Sequence, residues 1–86
     1  SLEEKDLLQG KLYPNPTNSK FAIELEVNGS AKLNVVDNLG RKVIDKDVLF
    51  VNGKTIVDTD ALVNGVYQVI VETKDGAMAR FSLMKN

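Results

Sequence analysis

The sequence predicts an all-β fold, a sandwich or barrel of short strands, from three observations. First, its 86 residues include 11 valines, 4 isoleucines and 4 threonines against 5 alanines, and β-branched side chains favour strands over helices. Second, apolar and polar residues alternate in several segments, as in a strand with one buried face. Third, Asx-Gly pairs separate these segments at a regular spacing that is typical of all-β proteins. The length suits a single domain.

The glycines mark the predicted turns. From the second glycine to the last, the spacings are 11, 13, 12 and 11 residues. Asparagine or aspartate stands directly before each glycine, or two residues before it in Asn38-Leu39-Gly40, and such sequences tolerate the positive φ of tight hairpins. We therefore expect turns at Gly29, Gly40, Gly53, Gly65 and Gly76.

The first half of the chain predicts one weak strand and two clear ones. Residues 1–8 are charged, contain three leucines and lack a period of two, so we interpret them as the end of a linker, with the domain spanning residues 9–86. Residues 9–13 form a weak strand. In the two clear strands the predicted inward residues are Phe21, Ile23, Leu25 and Val27, then Ala31, Leu33 and Val35, while Lys20, Ala22, Glu24 and Glu26 face outward.

The second half predicts the remaining strands. Residues 41–45 follow the turn at Gly40, and weaker strands are expected at 47–51 and 54–58. Residues 59–62 form a helical turn at best, with Leu62 in the core. Residues 66–72 are apolar on both faces, which places this strand centrally in a sheet. The inward residues of the last two strands are Tyr67, Val69 and Val71, then Ala79, Phe81 and Leu83.

Composition excludes several function classes. The chain has no cysteine and no histidine, so disulfides, thiol chemistry and histidine-based catalysis are absent. A net charge of −1 gives no basic footprint for nucleic acid. The aspartate pairs at 45 and 47 and at 58 and 60 match no calcium-loop spacing, so we expect no metal and no cofactor. No base stands ready to activate a serine, so the domain is predicted not to be an enzyme.

Four segments in a fixed order carry a resemblance to a known family. They are Leu-Tyr-Pro-Asn-Pro-Thr at residues 12–17, Val-Asp-Asn-Leu-Gly-Arg-Lys-Val at 36–43, Leu-Val-Asn-Gly-Val-Tyr at 62–67, and the closing Arg-Phe-Ser-Leu-Met-Lys at 80–85. Together they resemble the type A C-terminal sorting domain of the type IX (Por) secretion system of certain Gram-negative bacteria. Arg80, where lysine is commoner, and the final Asn86 are small departures from the family pattern.

The resemblance implies a fold, a role and partners. The fold would be an immunoglobulin-like antiparallel β-sandwich of about seven strands. Residues 9–86 would be a non-catalytic secretion signal that directs a parent protein in cis through the periplasm to the cell surface or beyond. Its partners would be outer-membrane translocon components and a surface sortase, which usually removes the domain by cutting, here, at or before residues 1–10. The parent's own export signal would lie on the longer chain.

The resemblance also suggests recognition residues, each with a structural reading beside it. The prolines give a rigid lead-in to a strand, and Tyr67 packs inward with its hydroxyl at the rim. The last strand is either a solvated sheet edge guarded by charge or a handle that a receptor pairs with by β-augmentation. The candidate residues for translocon or sortase recognition are Tyr13, Pro14, Asn15, Pro16, Gly65, Tyr67, Arg80, Phe81, Leu83, Met84 and Lys85.

Alternatives remain open from the sequence. An accessory carbohydrate-binding or adhesive module of a secreted hydrolase would use the same fold class, although the lack of tryptophan counts against it. An inert spacer would be followed by more chain. Unpaired edge strands also leave symmetric homodimer pairing open.

Overall fold

Strands make up most of the chain that the computed structural model describes, which is residues 7–86. Residues 1–6, most of the predicted linker, lie outside the described part. Within it there is no helix, and hence none long and apolar enough to cross a membrane. The strands are β1 (Gly10–Tyr13), β2 (Lys20–Leu25), β3 (Gly29–Asp37), β4 (Lys42–Phe50), β5 (Lys54–Asp58), β6 (Gly65–Thr73) and β7 (Met78–Lys85).

These strands form two antiparallel sheets whose apolar faces share one core. The smaller sheet has the order β1-β2-β5 and the larger one β4-β3-β6-β7. Three connections cross from one sheet to the other, namely β2 to β3, β4 to β5 and β5 to β6. The other three connections join neighbouring strands of the same sheet. The arrangement confirms the predicted immunoglobulin-like β-sandwich. It also confirms that the strand carrying Tyr67 and Val69 is an internal one.

The core consists of the side chains that the period of two turns inward. The buried apolar cluster is Phe21, Ile23, Leu25, Ala31, Leu33, Val35, Phe50, Val57, Leu62, Tyr67, Val69, Val71, Ala79 and Leu83. Val27 and Phe81 are half-buried against it. Ala22 was expected to face solvent but is buried, because Tyr13 and Ile56 are its neighbours on the outer face of the smaller sheet.

The segment from 41 to 51 differs from the prediction. The two short strands expected at 41–45 and 47–51 are one strand, β4, which pairs with β3 from Phe50 to Lys42. Its inner face carries Lys46 opposite the buried Leu33. Because Lys46 interrupts the run of apolar residues on this face, the sequence pattern does not reveal one continuous strand. The charge also discourages another strand from pairing with this open sheet edge.

The predicted glycine turns serve two different purposes. The turns at Gly40 and Gly76 close hairpins within the larger sheet. The other three glycines lie where the chain crosses between sheets. Gly29 and Gly65 close no hairpin there, whereas Gly53 lies in the expected tight turn, whose flanking residues Val51 and Lys54 are paired antiparallel by backbone hydrogen bonds of 3.0 and 3.1 Å. Gly53 is required there, since its φ is 78° and a Cβ would lie 2.7 Å from the carbonyl oxygen of Leu25.

All four segments that carry the family resemblance meet at one end of the sandwich. At this end, called the signature end below, β1, β3, β5 and β7 finish and β2, β4 and β6 begin. Residues 13–17, 37–41, 62–67 and the last residues of β7 all lie there. A backbone hydrogen bond of 2.8 Å from Thr17 to Met84 links the segment before β2 to β7 of the larger sheet, and one of 2.8 Å from Thr59 to Ser19 extends the β2–β5 pairing.

We expect the contribution of a leucine to the stability of the domain to depend on how deeply its side chain is buried. Leu83→Ala should lower the free energy of unfolding by ~2–5 kcal/mol, because this side chain is fully buried. Leu49→Ala is the matched control, since Leu49 is 62% exposed, and its effect should stay within roughly 0.5 kcal/mol. Urea unfolding measures both values. Equal destabilisation by the two variants would contradict this core assignment.

Candidate functional site

The outer edge of β7 is covered by the Tyr-Pro-Asn-Pro segment, and Asn15 makes the central contact. Its side-chain Nδ2 donates a hydrogen bond of 2.8 Å to the carbonyl of Ser82, and its Oδ1 accepts one of 2.9 Å from the backbone N–H of Met84. A side-chain amide carries the same donor and acceptor as a peptide group. Asn15 therefore occupies the sheet edge as one residue of a neighbouring strand would.

Thr17 continues this contact with its backbone. Its N–H donates to the carbonyl of Met84 at 2.8 Å, and its carbonyl accepts from the N–H of Asn86 at 2.9 Å. These bonds form an isolated parallel pairing between Thr17 and Lys85. The threonine is fully buried, and its hydroxyl donates a 2.6 Å hydrogen bond to the carbonyl of Lys20. These contacts direct the chain from the edge of β7 into β2.

Tyr13 lies on the outer face of the smaller sheet, away from β7. Its hydroxyl donates a hydrogen bond to the carboxylate of Glu24, and the Lys54 ammonium lies 5.8 Å from the ring centroid. Pro14 and Pro16 are exposed on either side of Asn15, and both X–Pro peptide bonds are cis. The four residues of this motif thus present two exposed prolines and an exposed ring around one anchored asparagine.

The Asp-Asn-Leu-Gly-Arg motif forms the β3–β4 turn. Asp37 Oδ1 accepts hydrogen bonds from the backbone N–H groups of Leu39 and Arg41, at 2.9 and 3.0 Å. The guanidinium Nε of Arg41 lies 2.8 Å from the other carboxylate oxygen. The backbone hydrogen bond from Arg41, with smaller contributions from Leu39 and the guanidinium, lowers the pKa of Asp37 below its usual 3.8. These contacts stabilise the turn, and they account for the aspartate and the arginine of the motif.

The Leu-Val-Asn-Gly-Val-Tyr motif forms the corner that leads into β6. The hydroxyl of Tyr67 donates a 2.6 Å hydrogen bond to the carbonyl of Val63, four residues upstream. Leu62 is buried beneath the loop, and its N–H donates to the carbonyl of Thr59. A tyrosine at this corner that bonds back to the backbone is a hallmark of immunoglobulin-like sandwiches.

The predicted recognition residues separate into surface and core. Tyr67 and Leu83 are buried, Phe81 is half-buried, and Gly65 begins β6. These four hold the shape of the signature end. The exposed or half-exposed members are Tyr13, Pro14, Asn15, Pro16, Arg80, Met84 and Lys85. All of these except Tyr13, which lies on the outer face of the smaller sheet, lie along the β7 edge and its cover.

The described residues of this end offer backbone groups and side chains for recognition. Within residues 7–86, no three acidic side chains come together in a way that would hold a metal ion. One surface depression lies between the two motif loops, next to Asp37 and Tyr67. Exposed backbone edges and side chains of this kind suit binding to another protein.

Sequence reasoning missed the partner of Asn15. It assigned the motif to a rigid lead-in, and it had no means of pairing Asn15 with Ser82 and Met84, which are 67 and 69 residues away. It also placed Leu7 and Leu8 in the linker, whereas Leu7 pairs with Met78 and the Leu8 N–H donates to the Met78 carbonyl at 2.6 Å. The one available signal was an asparagine between two residues that lack an N–H.

Comparison with known proteins identifies a family model that covers most of the chain. The family model described as the secretion system C-terminal sorting domain matches residues 11–84, which contain all four motifs except the last residue of the closing one. No curated protein matches the chain.

We expect the two tyrosine hydroxyls to differ in importance. Tyr67→Phe should cost about 1–3 kcal/mol of unfolding free energy, because it leaves the Val63 carbonyl without its donor beside a buried ring. Tyr13→Phe removes an exposed hydroxyl bonded to Glu24 and should cost under roughly 0.5 kcal/mol. Thermal or urea unfolding compares them. A larger loss from Tyr13→Phe would refute the corner assignment.

The turn at Asp37 should respond to acid. Because hydrogen bonds lower its folded pKa below 3.8, the ionised carboxylate contributes stability above that pH, and this contribution is lost as the pH falls through the lowered value. Asp37→Asn should therefore melt at a lower temperature than the wild type near neutral pH, and the gap should close as the pH falls below 3.8 and through the lowered pKa of Asp37. Asp60→Asn, at an exposed position, is the control. A gap that stays constant with pH would contradict this role.

Proposed function

The chain belongs to the family of type IX secretion C-terminal sorting domains, and on that premise we propose that the β7 edge with its covering segment is the surface read by the secretion machinery. A domain of this family is a C-terminal sorting signal, and it implies export to the cell surface or the extracellular space. The family is one of sorting signals and not of catalysts.

One observation carries the assignment of the surface. The first and last motifs of the family, separated by almost the whole chain, contact each other through Asn15, Ser82 and Met84. The exposed residues of both motifs therefore form one continuous surface, although neither motif is sufficient alone. The two middle motifs support it from below, through the turn at Asp37 and the corner at Tyr67.

The side chains of this surface suit a protein receptor. Arg80 is exposed on the outer face of the larger sheet, Met84 is 45% exposed on the same face, and Lys85 is half-exposed at the end of the strand. A cationic and apolar strand of this kind favours a translocon component with a complementary acidic and apolar surface. Tyr67 and Leu83 contribute indirectly, by keeping β7 in place.

The same edge positions the linker for a sortase. Leu7 and Leu8 pair with Met78 at the start of β7. A protease needs an extended, unpaired segment of substrate, so the cut that removes the domain would fall before Leu7, between the parent protein and the folded sandwich. The parent would pass through the periplasm before it reaches the translocon.

The rival function, carbohydrate binding, has less support from the surface. Among residues 7–86, Tyr13 is the one exposed aromatic side chain, and its hydroxyl already donates a hydrogen bond to Glu24. A sugar-binding platform usually offers several exposed rings. A glycan-binding screen of the isolated domain addresses this alternative directly.

An export assay with charge reversal tests the proposed surface. Residues 1–86 are fused to a periplasmic reporter in a bacterium with the type IX system and in a strain that lacks its translocon. The wild-type fusion should reach the surface only when the translocon is present. Arg80→Glu with Lys85→Glu should reduce that export roughly tenfold or more, because it reverses the charge of the recognised strand.

The control separates recognition from folding. Lys42→Glu with Lys46→Glu makes the same charge change on β4, the opposite edge of the same sheet, where both side chains are exposed. This variant should export normally. Truncation of residues 80–86 is a weaker test, because it also removes the buried Leu83. Equal export of the two folded double variants would defeat the assignment of this surface, and export without the translocon would defeat the sorting role.

A further inference from the structure

The outer edge of β7 is occupied at both ends and open in the middle. In the pairing of β7 with β6, alternate residues direct their backbone groups away from β6, and the contacts to Met84 show that the even-numbered residues do so. The Met78 carbonyl accepts from Leu8, the Ser82 carbonyl accepts from Asn15, and Met84 is bonded through both its N–H and its carbonyl.

Arg80 lies in the gap between these two contacts. The chain leaves the edge after Leu8 because β1 pairs with β2 in the other sheet, and it returns only at Asn15. Within residues 7–86, no hydrogen bond joins the outward backbone groups of Arg80 to another segment. The edge is therefore incompletely paired at the position where its exposed cation lies.

The covering segment, residues 14–17, is unable to complete the pairing. Pro14 and Pro16 have no N–H, so neither can donate to the edge. A side chain, that of Asn15, takes the place of one peptide unit, and Thr17 supplies the remaining contact. A full strand along the same edge would keep this number of hydrogen bonds and add those at Arg80.

We propose that residues 14–17 are a replaceable cover, and that the β7 edge from Arg80 to Met84 accepts an extended strand of a partner protein in its place. This inference rests on the proposed function, because it describes how the same surface is engaged. The cover keeps the edge from unselective pairing until the partner strand competes for it.

The outer face of β7 specifies the chemistry of that strand. Arg80 pairs in register with Ile70, and Met84 pairs with Val66, which is 52% exposed. Both Arg80 and Met84 face the same side, four residues apart. The partner strand should carry a carboxylate beside Arg80 and an apolar side chain beside Met84, also four residues apart, whether it runs parallel or antiparallel.

The test uses two synthetic peptides of about ten residues with threonine and valine in alternation. One carries glutamate and, four positions away on the same face, leucine. The other carries lysine in place of the glutamate. Binding is followed by amide chemical shifts of the labelled full chain. The glutamate peptide should shift the amides of Arg80, Ser82 and Met84, and the lysine peptide should bind more weakly.

Two variants change the attachment of the cover to β7: one weakens it and the other makes it covalent. Asn15→Ala removes both side-chain bonds and should strengthen peptide binding roughly tenfold. Thr17→Cys with Lys85→Cys joins the paired residues by a disulfide in a chain that has no other cysteine. The oxidised form should lose binding, and the reduced form of the same protein is its matched control. General misfolding would not give gain in one variant and reversible loss in the other.

Each contrary outcome has a definite meaning. Shifts confined to β4 or β5, or no difference between oxidised and reduced protein, would overturn the proposal. Dimerisation of Asn15→Ala through the β7 edge without peptide, seen by sedimentation, would overturn it in favour of a second copy as the occupant. If peptide binding fails while the wild-type fusion is still exported, the inference falls and the sorting function stands. If the edge binds peptide but export ignores the translocon, the sorting function falls.

Discussion

The exposed backbone edge of β7 is the constraint around which the domain is arranged. An outermost strand presents unpaired N–H and carbonyl groups, which attract other strands. This protein satisfies three of them with an early segment of its own chain, through the side-chain amide of Asn15 and the backbone of Thr17. The first and last motifs of the domain are thereby held together, and their exposed residues lie side by side.

The opposite edge of the same sheet follows a different rule. β4 carries Asp45, Lys46 and Asp47 in succession, and a symmetric antiparallel pair centred on this run would place like charges opposite each other. Charge discourages self-pairing there, whereas a segment of chain covers β7. This difference is the physical reason to assign recognition to β7. The segment that covers β7 can be exchanged for a strand of another protein, whereas the charges on β4 only repel or attract an approaching strand.

The motifs of the family divide between shape and contact. Asp37 organises a turn with its carboxylate, and Tyr67 fixes a corner with its hydroxyl. Both are explained by the needs of a small sandwich, which has few other means of fixing its loops. Arg80, Met84 and the exposed prolines have no such structural duty. A signature in sequence therefore contains residues that position the surface as well as residues that form it.

The sequence by itself determined the fold class, the inward faces of the main strands and the family, because alternation and Asx-Gly turns are local properties of neighbouring residues. It also placed Leu62 and Tyr67 in the core. Only the tertiary structure decided that β4 is one strand across Lys46, that Ala22 is buried, and that Asn15 bonds to Ser82 and Met84. These facts depend on which strands become neighbours. Strand order is set by packing across the whole chain, and no local pattern around Asn15 encodes a contact 69 residues away.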